Sequence, residues 1–134
     1  MYAPTVRSIY EVPAYLEDAG LGDYVIERTK LQASGRDLAD WRALVERMLN
    51  PTSSVKVAIV GKYVELEDSY KSLHEALIHG GVANKLRVQI RWVESEDLME
   101  DANWEDRLRD FDAILVPVGF GKRGIAGMLR AINY

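Results

Sequence analysis

The sequence contains no cysteine among its 134 residues. These residues therefore supply no disulfide framework, no thiolate metal site and no cysteine nucleophile. Long apolar runs are missing too, since none approaches the roughly 20 residues that span a bilayer. The first residues, "MYAPTVRSIYEV", lack the basic segment and apolar core of a signal peptide. We therefore expect a cytoplasmic protein that does not contact a membrane.

An excess of positive charge is also missing, because 17 basic residues stand against 21 acidic ones and the net charge is −4. A nucleic-acid binder needs a concentrated basic face, so we predict no nucleic-acid partner. Small nucleotides are not excluded, since they need only a few well-placed groups. The content of 48% hydrophobic and 28% charged residues is typical of a globular protein. The length allows one domain, or a domain with an appendage.

The chain changes character at the turn-rich "NPTSS", residues 50–54. Before it, "SIYEVPAYLEDAGLGDYVIERTKL" predicts two brief helices broken at Gly20 and Gly22. A third helix is predicted over "LADWRALVERML", with Asp37 as its N-cap. About 50 residues of this kind bury too little surface to be stable alone. We expect them to pack on another part of the protein.

After the turn the pattern is β-α-β-α-β. Strands are predicted over "VKVAIV" (55–60), "KLRVQIRWV" and "DAILVPV". Asp68 is expected to cap the first helix, which Gly80 and Gly81 end, and the acidic "ESEDLMEDANWEDRLRDF" is expected to be a mostly helical crossover. The fold class is therefore α/β with a parallel sheet. Ligands of such sheets bind at the carboxyl ends of the strands, where "GKYVELED" and "VGFGKRG" lie.

The glycine-rich loop after the third strand has three interpretations. Gly119, Gly121 and Gly124 match the dinucleotide spacing G-x-G-x-x-G, but that fingerprint belongs to the first βα turn and needs an acidic residue about 20 positions on. The loop also suits an anion or an oxyanion, because glycines let backbone N–H groups converge beside a helix N-terminus. A tight turn without a ligand is the third interpretation.

Three other patterns predict no site. "VGKY" (60–63) lacks the earlier glycine and the hydroxyl residue of a P-loop. His74 and His79 of "HEALIH" point roughly 140° apart on a regular helix, so they do not share a metal ion. The acidic residues between 94 and 101 lack the spacing of a calcium loop and are expected to be solvated. We predict no metal site in this chain.

Four segments, taken in this order, closely resemble the CTP synthase family: "SIYEVP" (8–13), "DLADWRALVERMLNP" (37–51), "VKVAIVGKYVELEDSYKSLHEAL" (55–77) and "ILVPVGFGKRGIAGM" (114–128). The resemblance covers nearly the whole chain. It implies that residues 1–50 are the helical end of a synthetase domain with its linker. Residues 55–134 would be the N-terminal half of a class I glutamine amidotransferase domain, a three-layer half-domain around a parallel sheet.

The resemblance also implies an activity for the complete enzyme. The family aminates UTP to CTP with ATP, magnesium and glutamine, and GTP is an activator. A cysteine nucleophile with a His–Glu pair hydrolyses glutamine, and ammonia travels through a tunnel to the synthetase site. The complete enzyme is expected to be a homo-oligomer, a tetramer, whose other partners are these small molecules. No cofactor is expected within the present chain.

Site residues follow from the family's loop P-G-G-F-G-x-R-G, which here begins at Pro117. The resemblance implies that Gly119 contacts glutamine and helps to form the oxyanion hole, and that Phe120 lines the same pocket. Arg123 and Gly124 match the segment implicated in activation by GTP. Val6 matches a position where the synthetase domain approaches ATP.

Departures from the family pattern limit these expectations. Val118 replaces a glycine, which would strain the loop if that position needs a positive φ. Ala126 stands where an acidic residue is common, and the chain stops at "RAINY", before any G-x-C-x-G nucleophile elbow.

With no catalytic residue present, we expect a fragment or truncated homologue that is inactive alone and prone to self-association. Two alternatives are a regulatory module that binds an intact synthase and a nicotinamide-binding half-domain.

Overall fold

The computed structural model describes residues 5–33, 35–64, 67–119 and 121–134, the side chains of residues 67 and 68 excepted. The chain divides into two compact units, residues 1–50 and 51–134. The assignment of these units to domains of a larger enzyme stays a prediction. No helix in the described ranges combines the length and the apolar character needed to cross a membrane.

The first unit is helical. A 3₁₀ turn at Ile9–Glu11 leads into α1 (Val12–Asp18), followed by α2 (Leu21–Thr29) and α3 (Ala39–Leu49). Ser8 begins the turn with a capping box, in which Glu11 accepts hydrogen bonds in return. The Trp41 indole of α3 donates to the Tyr10 carbonyl over 2.8 Å, and the two rings stack.

Two details of this unit correct the sequence prediction. Of the two glycines, Gly20, with φ +81°, lies between α1 and α2, whereas Gly22 lies inside α2. Gly22 leaves room for Arg36, whose guanidinium lies where a Cβ atom would project and pairs with Glu17 and Asp23. The N-cap of α3 is Leu38 rather than Asp37, although the Asp37 carboxylate accepts a 2.7 Å hydrogen bond from the Ala39 N–H.

The second unit is built on a parallel sheet of three strands: β1 (Ser53–Gly61), β2 (Leu86–Glu94) and β3 (Ala113–Leu115), in the order β2-β1-β3. Helix α4 (Lys71–Ala83) joins β1 to β2. A short α5 (Asp97–Glu100) and a 3₁₀ turn (Trp104–Arg107) lie between β2 and β3, and α6 (Ile125–Asn133) follows β3. The predicted α/β fold class is confirmed.

The central strand β1 is covered on both faces. Ala58 and Val60 belong to a core cluster with Leu98, Leu108 and Ala131, so α5, the following turn and α6 cover this face. Strand residues alternate between faces, so Val57 and Ile59 face the other way, the side on which α4 lies against β2. Burial on both faces explains why "VKVAIV" is apolar throughout.

The boundaries of the predicted elements need four corrections. Gly80 and Gly81 do not end α4, because Gly81 is the position where the helix lies closest to β2 and a Cβ atom there would lie 2.7 Å from the Leu86 carbonyl oxygen. The N-cap of α4 is Tyr70, and the side chain of Asp68 lies outside the described residues.

The acidic crossover is mostly turns rather than helix, since α5 has only 4 residues. Strand β3 has only 3 residues and ends before Pro117, which has no N–H for a ladder.

Candidate functional site

The loops that follow β1 and β3 meet because these strands are neighbours in a parallel sheet. Chain order reverses between them, since β2 lies on one side of β1 and β3 on the other, and ligands of open α/β sheets bind at such a point. A Cβ atom at Gly61 would lie 3.2 Å from Cγ of Pro117. The predicted clustering of "GKYVELED" and "VGFGKRG" at one edge is therefore observed for their described residues.

Lys62 ties the two loops together. Its side chain is 1% exposed, and its ammonium donates to the Gly121 carbonyl oxygen over 2.7 Å. Its own carbonyl accepts a 2.6 Å hydrogen bond from the Tyr70 hydroxyl. Sequence reasoning considered this lysine only as part of a failed P-loop and so missed it. A lysine directly after a buried strand was the signal, because burial of a charge requires a specific partner.

The glycine loop packs against Ser95, which follows β2. Ser95 is fully buried, and its N–H donates to the Gly61 carbonyl over 2.9 Å. The positions of Cβ atoms at Gly124 and Gly127 are occupied by the Ser95 hydroxyl and carbonyl oxygens, so both positions require glycine. Gly124, with φ +67°, is also the N-cap of α6. These contacts place the positive end of α6 beside the loop.

Val118 does not strain this loop. Among the described non-glycine residues, positive φ angles occur only at Lys30, Tyr63 and Lys85. Val118 has an ordinary backbone and a side chain that is 79% exposed. The loop glycines with positive φ are Gly121 and Gly124, and both are also glycines in the family pattern. Valine at position 118, where the family pattern has glycine, is therefore compatible with the backbone of this loop.

Gly119 presents its backbone at this edge of the sheet. The residue is exposed, and its N–H donates to none of the described residues. A Cβ atom at this position would lie 3.6 Å from the Lys62 side chain, which is ordinary van der Waals contact. An exposed amide beside a buried ammonium and a helix N-terminus favours a partial negative charge on a ligand.

Arg123 lies at the rim and is held by two acidic residues, one at the end of β2 and one just after it. Its guanidinium donates to Glu96 over 2.9 Å and lies 3.5 Å from Glu94. It also stacks over the Tyr63 ring, 5.3 Å from the centroid. The hydrogen bond that Arg123 donates to Glu96 raises the pKa of Arg123 above its ordinary value, so the group is a permanent cation. These two carboxylates therefore pair with the guanidinium of Arg123.

The other predicted site residues are placed as follows. Phe120 lies outside the described residues. Val6 belongs to the helical unit, where it is half-buried ahead of the 3₁₀ turn. The structure therefore brings Gly119, Arg123 and Gly124 to one edge, together with Lys62, and their proposed roles stay predictions.

Comparison with known proteins identifies the family. The model of glutamine amidotransferase class-I matches residues 65–134. The chain belongs to the class-I glutamine amidotransferase family. Within this family the loop described above is part of the matched region.

Curated relatives extend the similarity to the helical unit. The CTP synthase of Acidobacterium capsulatum is 52% identical over 132 residues, which are 98% of this chain and 24% of that protein. The CTP synthase of Dehalococcoides mccartyi strain BAV1 is 46% identical over 134 residues, 100% of this chain and 24% of that protein. The predicted resemblance to CTP synthase is confirmed, and the chain spans 24% of the length of these relatives.

A solved structure also matches, the glutaminase domain of Trypanosoma brucei CTPS with bound acivicin. It is 34% identical and has a TM-score of 0.49, with 59% of this chain and 32% of that chain covered.

Proposed function

We propose that this chain is the part of a CTP synthase that holds the oxyanion loop of the glutamine site. The complete enzyme would aminate UTP to CTP with ATP, Mg²⁺ and glutamine, with GTP as activator. The observation that carries the proposal is the exposed Gly119, whose N–H donates to none of the described residues, in a loop that the Lys62 ammonium holds at the Gly121 carbonyl and that leads into α6. A fixed donor of this kind stabilises the negative oxygen of a tetrahedral intermediate.

The nucleophile in this proposal lies outside these 134 residues, because they contain no cysteine. A loop that stabilises an oxyanion does not hydrolyse an amide without a nucleophile and a base. The chain alone therefore binds at most the substrate and releases no ammonia. The roles of Phe120 in the pocket and of Val6 near ATP follow from the resemblance alone.

Arg123 and Gly124 are proposed to contribute to activation by GTP. The support is geometric: Arg123 stacks on the exposed ring of Tyr63 at the rim of the glutamine loop. A guanidinium group and an aromatic ring side by side provide a stacking surface for a planar base. Gly124 couples this rim to the loop, because it begins α6 and packs on Ser95.

A titration of the labelled 134-residue chain with L-glutamine tests the binding part of the proposal. We expect saturable shifts of the Gly119 and Gly121 amide resonances in ¹⁵N correlation spectra, with D-glutamine as the control. An assay of the same sample for ammonia should remain at background. Saturable shifts confined to residues far from this edge, or ammonia release by the chain alone, would contradict the proposal.

The regulatory-module alternative is supported by one feature, an apolar stripe on α6. Ile125, Leu129 and Ile132 lie on one side of the helix and are 43%, 52% and 64% exposed. Such a stripe favours association with another protein surface. Gel filtration of the chain with the intact A. capsulatum CTP synthase distinguishes the two functions, since only the regulatory module forms a new complex. The nicotinamide alternative receives no support from the family match.

A further inference from the structure

A cavity lies on the sheet, away from the glycine loop. It has a volume of about 200 Å³ and is lined by Lys56, Gln89, Arg91, Asp110 and Phe111. Lys56 pairs with Gln89 in the parallel register, and Arg91 pairs with Ala58, so three polar side chains come from one face of neighbouring strands. The cavity thus has a rigid floor.

The wall of this cavity is fixed to its floor by Asp112. The Asp112 carboxylate accepts a 2.8 Å hydrogen bond from the Lys56 N–H, and the Asp112 N–H donates to the Lys56 carbonyl over 2.9 Å. These two bonds hold the preceding residues, Asp110 and Phe111, beside Lys56. Phe111 also packs against the core cluster, so its ring does not depend on a ligand for its position. The cavity is formed before any ligand binds.

The cations that line the cavity form no ion pair with a described residue. Lys56 and Arg91 have no salt bridge within the described ranges, whereas Arg107 and Arg123 each pair with two carboxylates. Arg87 lies on the same face of β2 and likewise forms no salt bridge to a described residue. Like charges on neighbouring strands repel each other, so an anion that binds between them removes an unfavourable interaction.

Asp110 restricts the kind of anion. It brings a carboxylate to the same cavity and has no salt bridge to a described residue. A carboxylate repels a bare anion but accepts a hydrogen bond from a hydroxyl group. Gln89 is a neutral donor, and Phe111 offers an apolar surface to a carbon skeleton. The combination suits a molecule with a phosphate at one end and hydroxyl groups at the other.

We propose that this cavity binds a small phosphomonoester with free hydroxyl groups, a sugar phosphate by chemical class. Lys56 and Arg91 contact the phosphate, Gln89 donates to one of its oxygens, and Asp110 accepts from a hydroxyl group. The site is separate from the glutamine loop and does not rest on the function proposed for it.

Calorimetric titration of the 134-residue chain with ribose 5-phosphate and with inorganic phosphate tests the proposal. Ribose 5-phosphate should bind more tightly than inorganic phosphate. Arg91→Gln should weaken both ligands by about tenfold, the effect of one lost charge-assisted hydrogen bond. Arg47→Gln, on an exposed residue of α3, is the matched control and should change neither affinity.

Asp110→Asn separates the two ends of the ligand. It should strengthen inorganic phosphate, because the substitution removes a like charge. It should also reduce the preference for ribose 5-phosphate over inorganic phosphate, because a neutral amide oxygen is a weaker acceptor for the hydroxyl group than a carboxylate. Thermal melts keep the test independent of folding: without ligand, Arg91→Gln should melt at the same temperature as the parent chain or above it. Equal binding by Arg91→Gln and Arg47→Gln would overturn the site, and an unchanged preference of Asp110→Asn for ribose 5-phosphate over inorganic phosphate would overturn the assignment of the ligand.

Discussion

The two units of this chain are stabilised by different interactions. In the helical unit, residues 1–50, none of α1, α2 and α3 contains a fully buried residue, and ion pairs such as Arg42–Asp18 lie at the surface. In the α/β unit, Val57, Ala58, Ile59 and Val60 of β1 are each at most 7% exposed. Surface ion pairs contribute about 0–1 kcal/mol each. A buried strand, by contrast, contributes about 25 cal/mol per Å² of apolar area. We conclude that stability depends on close packing of buried residues in the second unit but not in the helical unit.

The largest expected effect on stability is at Gly127, where the α/β unit leaves no space for a side chain. In Gly127→Ala, the new Cβ atom meets the Ser95 carbonyl oxygen, a backbone atom that moves only with β2. We expect the free energy of unfolding to fall by about 3 kcal/mol.

Gly22→Ala is the matched control in the helical unit. Its Cβ atom meets the end of the flexible Arg36 side chain, so we expect a change within about 1 kcal/mol. Urea unfolding followed by circular dichroism measures both variants. Equal losses in the two would contradict the contrast between the units.

Two adjacent glycines in α4 sharpen the contrast further. A Cβ atom at Gly81 would lie 2.6 Å from Cγ2 of Val88, whereas nothing lies within 4 Å of one at Gly80. Gly81→Ala should therefore destabilise the chain by about 1–3 kcal/mol. Gly80→Ala should stabilise it by about 0.5–1 kcal/mol, because alanine is the better helix former. Melting temperatures that shift in the same direction would show that α4 does not pack on β2 at Gly81.

A smaller effect is expected in the helical unit at Trp41. Trp41→Phe keeps an aromatic ring beside Tyr10 but removes the indole donor to the Tyr10 carbonyl. We expect a loss of about 1 kcal/mol, the contribution of one ordinary hydrogen bond. Hydrogen exchange of the backbone amides of α3, measured as a function of denaturant concentration, gives this loss of stability. A loss as large as that of Gly127→Ala would mean that this unit also depends on close packing.

The smallest effect concerns the pKa of Asp101. The hydrogen bond from Arg107, and then that from the Asn103 N–H, lower this pKa below its ordinary value. A lowered pKa means that the stabilisation is present above the unfolded-state pKa and is lost as the pH falls through the folded-state pKa. Arg107→Gln should raise the pKa of Asp101, as measured by NMR titration of its carboxyl carbon. An unchanged pKa would show that the ion pair does not form in solution.

The sequence predicted the parallel sheet and the glycine loop better than it predicted the ends of the helices and the buried side chains that hold the loop. "VKVAIV" predicted β1 because burial on both faces requires an unbroken apolar run. The sequence predicts helix breaks at Gly22 and Gly81, because local propensity cannot show that a neighbouring element fills the place of a side chain. Lys62 and Ser95 were missed for the same reason, since their partners are distant in the sequence. The role of Gly119 came from the resemblance rather than from any property of the loop.

One measurement tests the central claim, that the Gly119 amide stabilises the oxyanion formed from glutamine. The chain replaces the matching segment of the A. capsulatum CTP synthase, and CTP formation is measured with glutamine and with ammonium as nitrogen source. Gly119→Pro removes the amide donor, while Gly119→Ala keeps it and has room for its Cβ atom. We predict that Gly119→Pro lowers glutamine-dependent turnover by about 10²–10³-fold, the cost of one oxyanion donor. Ammonium-dependent turnover should stay unchanged, and Gly119→Ala should lose far less. Equal glutamine-dependent turnover in Gly119→Pro and in the parent chimera would contradict the claim.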